Sequence, residues 1–172
     1  MADGLLRAFR FSVTLLRSPG ARAGAGATRA DTGATRLGNG GFQECSGLEL
    51  EQDVQEYLEG GRNDGIIRRI GRVKYPTIVL KRGMFFVKDS LNRDVWIWLQ
   101  DIVRGIRPAA RYDGTVDVYH TDLTTPMARW EFDRGLPVRV KGPELNAKTG
   151  EIAIEELHIA HEGLRLAPPA GR

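Results

Sequence analysis

Gly41-Phe42-Gln43-Glu44-Cys45-Ser46-Gly47-Leu48-Glu49-Leu50-Glu51-Gln52-Asp53-Val54-Gln55-Glu56-Tyr57-Leu58-Glu59 is the stretch on which the fold turns. Phe42, Leu48, Leu50, Val54 and Leu58 fall on even positions, whereas Glu49, Glu51 and Asp53 fall on odd ones. Side chains alternate across a strand, so the pattern predicts a strand or hairpin with an apolar face and an acidic face. Gly47 marks a bend or bulge within it. The stretch holds six acids and no base.

The chain just downstream has the opposite sign. Arg62 to Lys74 holds five bases against the single acid Asp64. Gly60 to Gly71 reads as a long loop, glycine-rich and basic, with Ile66, Ile67 and Ile70 among Arg62, Arg68 and Arg69. Apolar residues on such a loop make it a candidate docking arm. A strand follows from Val73 to Arg82, where Ile78, Val79 and Leu80 in succession call for cover on both faces.

Further along, Leu91, Val95, Trp98 and Ile102 recur at helical spacing, with Asp89 or Ser90 as the cap and Gly105 and Pro108 as the stop. Trp96, Leu99 and Val103 widen the stripe, as expected of a helix seated on a sheet. Strands return at Val116–Val118, at Ala128–Phe132 and at Leu136–Val140. A final strand is expected from Glu151 to Glu162. Ile152 and Ile154 sit on even positions there, Leu157 and Ile159 on odd ones. A bulge near Glu155-Glu156 would bring both pairs inside.

Toward the N-terminus, Phe9, Phe11, Val13 and Leu15 alternate with Arg10, Ser12 and Thr14, which is a first strand and not a targeting segment. From Ser18 to Gly40 the composition shifts to Gly, Ala, Thr and Arg, with Leu37 the only large apolar residue. Such a segment buries too little to offset its ordering entropy, and is expected to be a flexible insertion loop. The tail from Ala167 to Arg172 is expected to fray. At 172 residues, one domain spanning 1–172 is expected. The fold class is mainly β, a sandwich or partial barrel with one flanking α-helix.

The search for chemistry returns little. Net charge is +3 with a pI near 9.2, but the opposite blocks argue for complementary surfaces over one basic footprint. Cys45 is the only cysteine and reads as a small apolar side chain in a strand. His158 and His161, three apart on a strand, point to opposite faces and make a poor metal pair, with His120 as the one further candidate. Glu155 and Glu156 diverge for the same reason. Gly20, Gly24 and Gly26 lack the spacing and the strand–helix setting of a dinucleotide loop, and no phosphate-binding loop or nucleophile turn is present. Trp96, Trp98 and Trp130 sit on apolar faces, where core packing outweighs base stacking. No run approaches the ~20 apolar residues of a membrane helix. Neither an enzyme nor a cofactor is expected. What remains is an association signature, because long amphipathic strands must dispose of their edges and identical copies can pair them in a ring.

Four separated phrases carry a resemblance. Gly41-Phe42-Gln43-Glu44-Cys45-Ser46-Gly47-Leu48, Gly71-Arg72-Val73-Lys74-Tyr75 leading to Leu80-Lys81-Arg82-Gly83, the Trp-bearing helix, and Ile159-Ala160-His161-Glu162-Gly163-Leu164 occur in that order. Together they resemble the tube protein of contractile phage tails and of related phage-tail-like injection systems. The likeness runs from about Phe9 to Leu166 and is broken by the 18–40 insertion.

The resemblance implies a structural subunit whose strands join across copies into a ring-shaped β-barrel. Hexameric rings would stack into a rigid hollow tube inside a contractile sheath. Further partners would be baseplate, spike-hub or terminator proteins at the tube ends, and DNA or protein cargo in the lumen. It also implies that Phe42–Glu59 and Met127–Lys141 form the barrel hairpins and that Glu49, Glu51 and Asp53 are a candidate acidic lumen wall. Arg62, Ile66, Ile67, Arg68, Arg69 and Ile70 would form an arm between subunits or rings. The helix bearing Leu91, Val95, Trp98 and Ile102 would lie outside. If each subunit lends four strands, a barrel of about twenty-four strands, spaced about 4.8 Å and tilted about 45°, is roughly 50 Å across with a lumen of roughly 40 Å. Assembly would take place in the cytoplasm, ahead of residence in a virion tail or injection particle, with no membrane anchor on the chain itself. The other reading left open is a small basic β-domain that binds nucleic acid without forming a tube.

Overall fold

The computed structural model describes residues 10–19, 37, 41–58, 60–61, 65–87, 90–119, 126–148 and 150–168. Phe9, Arg62, Asp89, His120, most of the 18–40 insertion and residues 169–172 lie outside the described set.

The strands are β1 (Phe11–Arg17), β2 (Glu44–Ser46), β3 (Glu51–Tyr57), β4 (Ile67–Lys74), β5 (Ile78–Gly83), β6 (Phe86–Val87), β7 (Ser90–Leu91), β8 (Tyr112–Tyr119), β9 (Pro126–Lys141), β10 (Ile154–Ala160) and β11 (Gly163–Ala167). The single helix among the described residues, α1, spans Asp94–Val103. Seven strands form one antiparallel sheet in the order β1-β8-β9-β10-β5-β2, with β11 also on β9. The pairs β3–β4 and β6–β7 form separate two-stranded sheets. The fold is thus mainly β, as the alternation predicts.

The 16-residue β9 carries the corner of the sheet. Its first half lies between β8 and β11, and its second half pairs with β10. Two irregularities bend it. Arg134 takes a positive φ of 54° between the pairs Gly114–Phe132 and Tyr112–Gly135. Val138 is then the extra residue between the pairs His158–Arg139 and Ile159–Pro137, where Pro137 offers no N–H to a ladder. The bend folds the two halves over one core of Val13, Leu15, Ile78, Leu80, Tyr112, Val116, Phe132, Leu157 and Ile159. Helix α1 adds Val95 and Trp98 to that core, and Trp98 Nε1–H donates to the Ala110 carbonyl at 2.8 Å.

Several expectations are corrected here. Residues 42–58 hold two strands, β2 and β3, which do not pair with each other, and the bend expected at Gly47 lies between them. Gly47 has φ +81°, and a Cβ there would sit 2.2 Å from the Thr77 carbonyl oxygen, so only glycine allows the bend. Ile67 to Ile70 lie in β4 and not in a loop. The strand expected from Val73 to Arg82 is split between β4 and β5 at Tyr75–Thr77. Residues 127–141 form a single strand instead of a hairpin.

Leu91 belongs to β7, outside the helix. The helix starts at Asp94, and the N-cap position, Arg93, makes no side-chain cap; Asn92 Oδ1 instead accepts from the Asp94 N–H at 3.1 Å. The expected bulge at Glu155-Glu156 is absent, because Glu155, Leu157 and Ile159 all face inward on one unbroken parity and Ile152 is exposed. An inward charge replaced the expected apolar residue, which the hydrophobic rhythm alone does not reveal. Leu37, within the insertion, packs against the core, and its N–H donates to the Leu15 carbonyl at 2.9 Å.

Candidate functional site

Strands β2–β5 and β3–β4 are one long hairpin with a break in each leg, at Gly47–Leu50 and at Tyr75–Thr77. The lower part belongs to the main sheet. The upper part, β3–β4, stands apart as an arm. In register, Glu51 faces Lys74, Gln52 faces Val73, Val54 faces Ile70, Gln55 faces Arg69, Glu56 faces Arg68 and Tyr57 faces Ile67. Opposite Asp53, strand β4 carries one residue more than β3, and Gly71 fills that crowded place: a Cβ there would lie 2.6 Å from the Asp53 carbonyl oxygen.

Among the described residues nothing covers several large apolar side chains of the arm. Ile70 is 81% exposed and Leu58 76%, and Leu50, Val54, Ile66, Val73 and Tyr57 are exposed as well. The residues expected as an inter-subunit arm therefore do come together, except Arg62, which is outside the described residues. Glu49, Glu51 and Asp53 sit on the same arm. Lys74 Nζ lies 2.7 Å from Asp53 Oδ1, so the acidic strand is matched by basic β4. This bond to Asp53 holds the Lys74 ammonium above its ordinary pKa. Arg68 approaches Glu56 at 3.7 Å, and the Arg69 guanidinium lies over the Tyr57 ring. Isolated two-stranded hairpins are marginal in water, so the arm's exposed faces call for a partner.

At the arm's root the separated sequence phrases converge. Gly47 from the first phrase packs on Thr77. Tyr75 from the second stacks on His161 from the last at 5.4 Å, and the His161 ring also meets core Phe132 at 5.7 Å. His161 Nε2 lies 3.1 Å from the Pro76 carbonyl oxygen and Nδ1 lies 3.0 Å from that of Gly163. Next to it, Glu162 takes the guanidinium of Arg111 at 2.8 Å and that of Arg134 at 2.7 Å. The Arg134 N–H donates to Asp113 Oδ1 at 2.9 Å, which anchors the positive-φ corner.

A second convergence lies under the helix. Arg82, 2% exposed, donates to Glu155 of β10 and to Asp94 of α1, and the rings of Phe42 and Phe85 flank it. Trp96 Nε1–H donates to the other Glu155 oxygen at 2.8 Å. Burial works against the charge on Arg82, but the bonds to Asp94 and Glu155 outweigh it and raise its pKa. The cluster pins α1 onto the sheet. Sequence reading missed its members because a buried arginine looks like any surface arginine. The one clue was Glu155 breaking the apolar rhythm.

Of the residues expected on the helix, Val95 and Trp98 are buried and Ile102 partly so, while Ile97 and Val103 are exposed on its outer flank. Cys45 is half-buried opposite Leu80, and burial pushes its thiol up to about 12. Among the described residues no cluster of His, Cys, Asp and Glu has metal-binding geometry, and no helix is long and apolar enough to cross a membrane.

The fold has solved counterparts. A chain of the anti-feeding prophage baseplate matches at TM-score 0.72 and 20% identity, covering 97% of each chain. A chain of the sheath–tube complex of an extracellular contractile injection system, PVC, matches at 0.73 and 18%, covering 96% of this chain and 93% of that one. A chain of the sheath/tube terminator of the same kind of system matches at 0.70 and 18%, covering 98% and 100%. No curated protein matches in sequence. The family model for the T4-like virus tail tube protein gp19 matches residues 7–165, and the chain therefore belongs to the T4-like tail tube protein family.

Proposed function

We propose that the chain is a structural subunit of the inner tube of a contractile tail or injection system, forming hexameric rings that stack into a hollow tube within a sheath. The carrying observation is the β3–β4 arm, which presents apolar residues on a strand pair that the other described residues leave uncovered. Among the described residues β2 has no strand on its outer border, which offers a further strand-pairing site to a neighbouring copy. Family membership supports a tube role, and the sheath–tube and terminator complexes containing similar chains support a sheath outside and end proteins at the tips.

In this reading Ile66, Ile67, Arg68, Arg69 and Ile70 contact the neighbouring copy or ring, the outer flank of α1 faces the sheath, and Glu49, Glu51 and Asp53 turn toward the lumen. Subunits assemble in the cytoplasm and then reside in the particle, which passes DNA or protein cargo. The work done is mechanical. Strand pairing across copies makes ring opening break many hydrogen bonds together, so the tube advances as a rigid body when the sheath contracts. No step needs a nucleophile or a cofactor.

Negative-stain microscopy of the native particle, followed by sizing of the purified chain with seed particles, tests the reading. Rings or tubes that lengthen with added chain are expected. A solitary monomer that binds DNA in a salt-sensitive way and never adds to a seed would overturn it.

A further inference from the structure

We propose that His161 is a positioning residue that latches the root of the β3–β4 arm and sets the direction in which the arm leaves the body. The inference rests on the tube reading only for its consequence in assembly; the latch itself is a property of the single chain.

Each leg of the long hairpin is broken at the root, so no continuous strand ladder carries the body's orientation into the arm. Such a root swings unless something holds it. On one leg, Gly47 lies against the Thr77 carbonyl. On the other, Tyr75–Thr77 leads from β4 into β5, and the side chain that grips it is His161.

His161 stands where β10 ends and β11 begins, so it belongs to the body. Its ring is wedged between Tyr75 on the arm side and Phe132 in the core, and is only 8% exposed. Each ring nitrogen faces a carbonyl oxygen, one on the arm's root (Pro76) and one on the body (Gly163). In the tautomer that carries its proton on Nε2, the ring donates to the Pro76 carbonyl and ties the root to the body.

The residue's own support is firm. Glu162, next in sequence, is held by Arg111 and Arg134, and its N–H donates to the Asp133 carbonyl at 3.0 Å. The latch is therefore mounted on the stiff corner of the fold. A correctly aimed arm is what lets many copies dock at one repeated angle, whereas a swinging arm must be ordered each time a copy adds.

The test uses the full chain with Cys45→Ser and spin labels at Gln55→Cys on the arm and Arg104→Cys beside the helix, read by double electron–electron resonance. With His161 present, one narrow distance is expected. His161→Phe keeps an aromatic wedge and removes the donors, and is expected to broaden the distribution at least twofold. His161→Gln, which returns a donor, should narrow it again. Tyr75→Leu touches only the partly exposed arm side, folds without core change, and should broaden it too. Distributions in His161→Phe and Tyr75→Leu as narrow as the parent's would overturn the latch, as would a His161→Gln no narrower than His161→Phe. If His161→Phe fails to fold, Tyr75→Leu decides alone. In seeded elongation the two broadening variants should need at least tenfold more chain to add to a tube. Normal elongation by a chain with a broadened arm would remove the link to assembly. Failure of the parent itself to elongate would count against the tube reading and leave the distance result standing.

Discussion

The seven-stranded body and the β3–β4 arm are built from the same residue types but have opposite relations to water. In the body, Ile78, Leu80, Phe132 and Ile159 are fully buried and the charged Arg82 is buried with its partners. On the arm, Val54, Leu58 and Ile70 are exposed, and its acids and bases meet in pairs that water reaches freely. The body buries its core within one chain. The arm has the composition of a buried element, yet among the described residues nothing buries it, and that asymmetry is what the proposed association would resolve.

The contrast is broken most severely through the core. Phe132→Ala should destabilise the folded chain by about 3–5 kcal/mol, measured by urea unfolding. Ile70→Ser, a comparable loss of apolar surface on the arm, should leave monomer stability within about 0.5 kcal/mol while abolishing addition to seeded tubes. An Ile70→Ser chain that elongates normally would show that the arm is not the association surface.

The charges should divide in the same way. Arg82→Ala leaves the buried Glu155 and the part-exposed Asp94 of α1 without their guanidinium and should cost about 3–5 kcal/mol. Lys74→Ala removes an exposed pair with Asp53 and should cost no more than about 1 kcal/mol in the monomer. Between these lies Gly47→Ala at the root, where a positive φ and the Thr77 carbonyl both resist a side chain; a loss of about 1–3 kcal/mol is expected.

Much of the body was legible in the sequence. Alternation placed β1, β8 and β10 to within a few residues, helical spacing placed Val95, Trp98 and Ile102, and the four phrases pointed to the family that the matched model now shows. The misses have physical causes. Leu91 continues the helical spacing by coincidence, but the chain turns through β6–β7 before the helix begins. Ile67 to Ile70 looked like loop because glycines flank them, whereas one glycine, Gly71, is the extra residue that lets β4 stay paired with β3. The even-parity face of β3 was read as apolar, and it is exposed, because periodicity reports that a face needs cover and not whose atoms provide it. The latch at His161 was invisible for a related reason. The spacing of His158 and His161 spoke only against metal, and the carbonyl partner, Pro76, is 85 residues away.

The smallest expected effect concerns Cys45. Burial favours its neutral thiol, with the pKa pushed up to about 12 from 9.0, so the folded form gains stability that is present below 9.0 and lost as pH rises toward about 12. At pH 8 an aromatic disulfide reagent should modify the folded chain far more slowly than the urea-unfolded one. Equal rates would mean that the β2 border opens readily.

The central claim is that the apolar faces of the arm are covered by another copy of the same chain. Amide hydrogen exchange of β3–β4, followed by mass spectrometry on one preparation as free chain and as assembled particle, tests this most directly. Rapid exchange in the free chain and strong protection in the particle, with the body protected in both, is the predicted result. An arm that exchanges equally fast in both states would contradict the claim.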